Sequence, residues 1–391
     1  KHGNKNSYSK NKEYVGRWGN EYDTNFNINL SKKFTQSNGA WTKLVVQLEN
    51  WSDNYDNNVG DYKIDLTELY IEMGNVPMFT GAFKDAKIVA GKKKWDAQQV
   101  EILDYYYQDV KGTGLGLEGI RLWNGSLNLT YISNDFKDGE LSNIEGKKAE
   151  DVRAYKAKYT HGDISGEVMY AHATDNDKIK KYKNNLENWN RDAADDGFYA
   201  GLYYQPDNFF GLEGKGQHYL QYATGILAGE GIGKIETDAN KRAANDAVTY
   251  QLGLGGTVRL GDRTHMLVSY RGLRAQNIEA RKTVSYWHDV DNPTNMSPYV
   301  GSWRAKDLET DALVLRPIYY INQNLDLWME AGIARKDTES YSGTTEDHLL
   351  YKISAGPQLK YYVGNAETSL RLFVTYIGDK TERRENGVTT K

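Results

Sequence analysis

The stretch Ser126-Leu127-Asn128-Leu129-Thr130-Tyr131 alternates strictly between polar and apolar side chains. Successive side chains of an extended chain point to opposite faces, so Leu127, Leu129 and Tyr131 share one face and Ser126, Asn128 and Thr130 the other. Ser369-Leu370-Arg371-Leu372-Phe373-Val374-Thr375-Tyr376 repeats the pattern, with Leu370, Leu372, Val374 and Tyr376 on one side and Ser369, Arg371, Phe373 and Thr375 on the other. Segments of the same kind recur from Lys43 to Glu49, Glu167 to His172, Gln217 to Ala223, Thr249 to Val258, His265 to Leu273, Thr310 to Ile321 and Leu325 to Ile333. Each is near, or slightly under, the roughly 9–11 residues of a tilted membrane strand. The dominant period is two, which predicts an all-β chain.

The polar faces carry the next inference. They include Gln47, Glu49, Glu167, Arg271, Asp326, Glu330 and Arg371. Such residues face bulk water outside a soluble sandwich or a water-filled lumen inside a membrane barrel. Tyr131, Tyr170, Tyr319 and Tyr376 flank the apolar faces, where a membrane interface selects tyrosine. The ends of a sandwich core would take the same residues. The pattern fits the barrel better and leaves the sandwich open.

Composition is consistent with either sheet architecture. Proline is held to six residues, since it cannot donate to a central ladder, while 38 glycines supply turns. Thirty tyrosines, nine tryptophans and nine phenylalanines argue against disorder. A mean hydropathy of −0.74, without any run of about 20 apolar residues, excludes a membrane helix. It does not exclude a barrel, which needs only alternate residues to be apolar. The net charge of −4 provides no basic excess for nucleic acid. The absence of cysteine removes disulfides, thiolate metal sites and thiol nucleophiles. The opening KHGNKNSYSK is polar throughout, so a secretion signal would already have been removed.

Connections differ in length. Leu260 to Thr264 and Tyr361 to Asn365 read as tight links, whereas Lys178 to Asp196 and Asn277 to Glu309 are long, charged and weakly periodic. Asp238 to Asp246 reads as a short helical or disordered loop. Short turns at one end and long loops at the other is the arrangement of a porin. No repeat or linker divides the chain, and residues 1–391 are expected to form a single barrel domain.

Several stretches, in order along the chain, resemble the maltoporin (sugar porin) family. The clearest is Ile88-Val-Ala-Gly-Lys-Lys-Lys-Trp95, followed by Leu103-Asp-Tyr-Tyr-Tyr-Gln-Asp109 and Gly112-Thr-Gly-Leu-Gly-Leu-Glu118. Arg17-Trp-Gly-Asn-Glu21, Gln221-Tyr-Ala-Thr224, Arg316-Pro317 with Tyr320, Tyr351-Lys-Ile-Ser354 and Arg371-Leu-Phe-Val-Thr-Tyr376 are similar to further family segments. The resemblance implies a transmembrane antiparallel β-barrel of about 18 strands, assembled as a homotrimer in the bacterial outer membrane. Its third loop would fold inward as a constriction. Two departures stand out: Lys1 to Tyr14 is a poor match to a first strand, and Thr389-Thr390-Lys391 lacks the family's closing aromatic strand. The terminal strands of the family pattern are thus expected to be missing.

The resemblance also implies a path for solutes. Tyr106 matches the constriction tyrosine, Asp104 the acidic residue beside it, and Trp51 the loop tryptophan that latches a neighbouring subunit and starts an aromatic track. Arg17 matches a wall arginine, and Glu101 adds negative charge near the narrow point. Competing readings are a packing tyrosine for Tyr106, a salt bridge to the wall for Asp104, an interface aromatic for Trp51 and a surface arginine for Arg17. Other track positions are not kept. The constriction's basic residue falls near Ala97, with Lys92, Lys93 and Lys94 as substitutes, and wall aromatics fall near Asn25, Lys215 and Asn365.

A channel for sugars needs rings to stack on and charged groups to exchange hydrogen bonds, with binding weak enough for release. The expected function is passive diffusion of saccharides, with sugars, outer-membrane lipid and two further copies of the chain as partners. No cofactor, metal or catalytic residue is expected. The Asp195-Asp196 pair lies in a polar loop, the seven histidines are scattered, and Gly112-x-Gly114-x-Gly116 lacks the spacing of a nucleotide site. The alternatives are a general porin for hydrophilic solutes and ions, and a soluble carbohydrate-binding or adhesive β-protein.

Overall fold

A computed structural model describes residues 11–19, 24–52, 64–135, 151–174, 194–235, 243–278, 284–288, 296–300, 305–363, 366–385 and 388–390. The first part of the wall is β1 (Thr24–Thr35), β2 (Trp41–Ser52), β3 (Asp65–Gly74), β4 (Lys87–Val100), β5 (Tyr105–Leu122), β6 (Gly125–Asp135), β7 (Asp151–His161) and β8 (Ile164–Thr174). It continues through β9 (Asp196–Tyr204), β10 (Asn208–Phe209), β11 (Leu212–Thr224), β12 (Val248–Arg259) and β13 (Thr264–Gln276). After the separate hairpin β14 (Val284–His288) and β15 (Met296–Val300) come β16 (Ala305–Asn322), β17 (Leu325–Ser340), β18 (Thr345–Val363), β19 (Ala366–Arg371), β20 (Val374–Glu385) and β21 (Val388–Thr390). Apart from β14 and β15, these form one 19-stranded sheet with antiparallel pairing throughout. Long wall strands pair with their neighbours in chain order, as in an up-and-down barrel.

Burial decides between sandwich and barrel. Arg271, Arg316, Lys352, Asp326 and Glu330 are each no more than 2% exposed, while Leu313, Leu327, Ile333 and Ile353 are 41–58% exposed. A sandwich would bury the leucines and solvate the charges. The inverse is the signature of a sheet with hydrocarbon outside and a polar interior, because an unpaired charge in lipid costs more than an exposed leucine in lipid. Gln47 and Glu167 are likewise buried and Glu49 half-buried, as the alternation predicts. Tyr170, Tyr319 and Tyr376 are outward and exposed.

The connections alternate as expected. Residues 36–40, 123–124, 162–163, 210–211, 260–263 and 323–324 make one end, where 75–86 is the longest link; at the other end the chain leaves Ser52, Asp135, Thr174, Thr224 and Gln276 for longer connections and turns back over 341–344 in a short one. The 277–304 connection is not featureless, since it carries β14 and β15. Residues 175–193 and 236–242 lie outside the described residues; of the 238–246 segment, 243–246 contain no helix.

The Ser369–Tyr376 strand differs from expectation in one respect. It is split at Leu372-Phe373 into β19 and β20, both paired with β18. The break lies against Gly356-Pro357, where proline has no N–H for the ladder. Leu372 N instead donates to Pro357 O at 3.1 Å. A Cβ on Gly356 would meet Leu372 O at 1.8 Å, so only glycine permits this close approach.

Candidate constriction and solute path

The β4–β5 hairpin leaves the wall. β4 pairs with β3 only over Ile88 to Lys92, and β5 pairs with β6 only from Thr113 onward, whereas β4 and β5 stay paired to Val100 and Tyr105. Residues 93–112 therefore pair with each other alone. Register shifts between Lys94 and Asp96 and between Gln98 and Gln99 bend the hairpin, as bulges do. At the points of departure a Cβ on Gly91 would meet Leu69 O at 2.3 Å, and one on Gly112 would meet the Asn134 side chain at 1.9 Å. The inward loop implied by the resemblance is thus a strand hairpin.

Its tip crosses the lumen to the far wall. Tyr107 stacks on Tyr219 of β11 at 4.3 Å and 4°. The Tyr105 hydroxyl donates to Gln251 Oε1 of β12 at 2.8 Å, and the Arg271 guanidinium of β13 lies 3.7 Å over the Tyr105 ring. Gln108 Nε2 donates to Glu167 Oε1 of β8 at 2.7 Å. Asp96 pairs with Lys156 and, at 2.8 Å, with Lys158 of β7. Glu101 receives Arg316 Nη1 of β16 at 3.0 Å. Side chains of alternate residues in the Tyr105-Tyr106-Tyr107 run point opposite ways. Tyr105 and Tyr107 are buried against the wall, and Tyr106 is 39% exposed on the other face.

A second chain segment fills the lumen beside this tip. The helical turn α1 (Lys12–Val15) and residues 16–19 lie against the inner face of β16, β17 and β18, not in the wall as a first strand. Lys352 Nζ donates to Gly16 O at 2.6 Å and Trp18 O at 3.0 Å, and Trp18 N donates to Glu330 Oε1 at 3.0 Å. A Cβ on Gly332 would meet Val15 O at 2.2 Å, so the absence of a side chain there admits the segment. Arg17 N donates to Ile102 O at 3.0 Å, Arg17 Nη1 lies 3.6 Å from Asp104 Oδ1, and Lys12 pairs with Asp104. Tyr14 donates its hydroxyl proton to Glu230, which also pairs with Lys336 at 3.4 Å.

Four of the five residues named from sequence therefore meet at the hairpin tip: Tyr106, Asp104, Glu101 and Arg17. Asp104 sits at φ 52°, closing the turn Glu101–Leu103, and accepts from Gln99. Trp51 pairs with Asn25 at the end of β2, but its side chain lies outside the described residues. Lys92, Lys93 and Lys94 are engaged elsewhere, on Leu66 O, Glu118 and Glu49. The positive charge at the tip comes from Lys12, Arg17 and Arg316, which adjacency in sequence could not show. Among the described residues no cluster of His, Asp and Glu has the arrangement of a metal site.

An antiparallel sheet with its charges inside, its leucines outside and a hairpin folded across the interior defines an outer-membrane porin. More particularly, the chain belongs to the LamB porin family, whose model matches residues 1–391. It is similar to the maltoporin of Vibrio cholerae serotype O1, 24% identical over 386 residues that span 94% of this chain and 83% of the relative. Maltoporin 1 of Aeromonas salmonicida is also 24% identical, over 409 residues covering 96% of this chain and 85% of the relative. Among solved structures, the outer membrane channel DcaP of Acinetobacter baumannii aligns with a TM-score of 0.45 at 9% identity, covering 91% of this chain and 84% of that one. OmpF of Salmonella typhi, in complex with daunomycin, aligns at 0.46 and 11%, covering 93% and 96%.

Proposed function

We propose that this porin conducts saccharides by passive diffusion, as a homotrimer, with Tyr106 and Asp104 at its narrow point. One observation carries the reading. The hairpin buries Tyr105 and Tyr107 and leaves the Tyr106 ring exposed on its other face, on the tip that also carries the Asp104–Arg17 and Glu101–Arg316 pairs. An accessible ring beside both signs of charge suits a solute with apolar ring faces and a rim of hydroxyls. The relatives named maltoporin support the same class of solute. Trp51 is proposed to open the aromatic path and to bear on a neighbouring subunit. The outward leucines and tyrosines are the surface for outer-membrane lipid.

Planar-bilayer recording tests the proposal. Sugar added to either chamber is expected to block the current reversibly, and Tyr106→Ala to shorten the block. Absence of block by every sugar tried would leave the second reading, a general porin for hydrophilic solutes. Lys215, exposed on β11 at a family aromatic position, favours that second reading.

A further inference from the structure

We propose that the outer face of β6 to β9 binds a phosphorylated, acylated glycolipid of the outer leaflet, with an acyl chain in a depression floored by Ala157 and a phosphate on Arg153. The site lies outside the lumen and holds whichever solute the channel passes.

Strand register arranges this face in three rows. Tyr131 of β6, Tyr155 of β7, Tyr170 of β8 and Phe198 of β9 are successive partners across the ladder. The Tyr131 and Tyr155 rings pack 5.4 Å apart, and Tyr155, Tyr170 and Phe198 are 42–54% exposed. Such a row is an aromatic belt, set where hydrocarbon meets headgroups. Two residues along each strand, about 7 Å nearer the long-loop end, Ser133, Arg153, His172 and Asp196 form a polar row in the same register. Two residues the other way lies an apolar row, Leu129, Ala157, Val168 and Ala200.

The apolar row is not flat. Ala157 stands between the larger Leu129 and Val168, below Tyr155, and the wall sinks there into a depression of about 670 Å³. Leu115 of β5 and Phe79 of the 75–86 link complete its lining. A gap beside apolar side chains forfeits their dispersion contacts until something apolar fills it. In the hydrocarbon layer an acyl chain does so.

The polar row supplies the charge. Asp196 is taken, by His172 Nδ1 at 2.7 Å and by the Tyr170 hydroxyl. Arg153 is exposed and makes no ion pair among the described residues. A guanidinium free at headgroup level attracts an anionic lipid and takes phosphate oxygens two at a time. The free cation, the belt and the depression follow one another down the wall in the order of phosphate, headgroup boundary and acyl chain. Long loops mark the extracellular end, so the lipid is that of the outer leaflet. Ser133, His172 and Asp196 beside Arg153 offer hydrogen bonds to the hydroxyls of a sugar headgroup. A second copy of the chain seated here would have to bring an anion of its own to Arg153, or bury that charge at a large cost.

Native mass spectrometry of the full chain in detergent, titrated with diphosphoryl lipid A, tests the site. One lipid per subunit is expected. Arg153→Gln, which removes the charge, and Ala157→Leu, which fills the depression, are each expected to weaken binding about tenfold. Ala331→Leu, at an exposed outward position of β17, is expected to bind like the unaltered protein. Heat-modifiable migration in gels establishes that each variant is a folded barrel. No lipid on the unaltered protein, or equal affinity in both site variants, would overturn the proposal. Equal affinity for phosphatidylglycerol would overturn the glycolipid as occupant. Dissociation of the oligomer by Ala157→Leu would overturn it in favour of a contact between copies.

Discussion

Lys352 of β18 and Glu330 of β17 meet inside the wall with Nζ and Oε1 2.5 Å apart, both side chains wholly buried. Glu330 also receives Arg316 Nε at 2.6 Å and the Trp18 amide, so one carboxylate pairs with two buried cations, of which Arg316 is shared with Glu101, and anchors residues 16–19. Removing one partner of a buried ion pair leaves an uncompensated charge and costs roughly 3–5 kcal/mol. Glu330→Ala should therefore lower the urea midpoint of the barrel refolded in lipid vesicles. Trypsin should also cut the variant after Arg17. A variant with unchanged midpoint and protected Arg17 would show that the pair does not hold the segment.

Gly332 provides a cleaner way to release the same segment. Valine suits a strand interior, so Gly332→Val should leave β17 intact while its side chain collides with Val15 O. Since residues 11–19 occupy the lumen, their displacement should raise single-channel conductance severalfold. Unchanged conductance in a folded variant would mean that the segment does not limit the current.

The tyrosine run separates two roles along three consecutive residues. Tyr107 is buried, stacked on Tyr219, and accepts from Gln205 at 2.9 Å. Tyr107→Ala should thus destabilise the hairpin by roughly 3 kcal/mol, the range for loss of a buried aromatic. Tyr106→Ala removes an exposed ring and should leave stability within about 0.5 kcal/mol, while weakening sugar block. Thermal unfolding and bilayer recording on the two variants read the contrast. Equal loss of stability in both would refute the division.

These relationships were unequally legible in the sequence. Period-two alternation exposed the wall because lipid and water impose opposite demands on alternate residues, and it extended to the Tyr105-Tyr106-Tyr107 run. The resemblance brought Tyr106, Asp104 and Glu101 to one place, but it put Arg17 on the wall, whereas Arg17 lies on the segment docked inside, beside Asp104. It did not show that Arg316 and Lys12 supply the facing charge, because these pairs join residues far apart in sequence. Nor did alternation distinguish wall from hairpin at 93–112, since a strand that leaves its neighbours keeps the same period. The docking of residues 11–19 left one trace, a glycine at 332 inside an otherwise regular strand, which marks a close backbone approach. The break at Leu372 had its signal across the ladder, in Gly356-Pro357.

Glu230 gives the docked segment a dependence on pH. Burial would raise its carboxyl, but Lys336, the Tyr14 hydroxyl and Arg271 outweigh burial and hold it below its ordinary value of 4.5. A depressed carboxyl contributes stability that is complete above the ordinary value and is lost as pH falls through the folded one. Glu13 has the opposite sign: burial, opposed by Arg271, holds its carboxyl above 4.5, so it takes up a proton first and rids the interface of a charge. On acidification docking should therefore tighten slightly and then fail below pH 4.5, as Glu230 gives up its pairing with Tyr14 and Lys336. Conductance should dip and then rise over that range. In Glu230→Gln the acid-side rise should vanish, because that anchor is already lost at neutral pH. A rise of the same size in the variant would assign the acid response to groups other than Glu230.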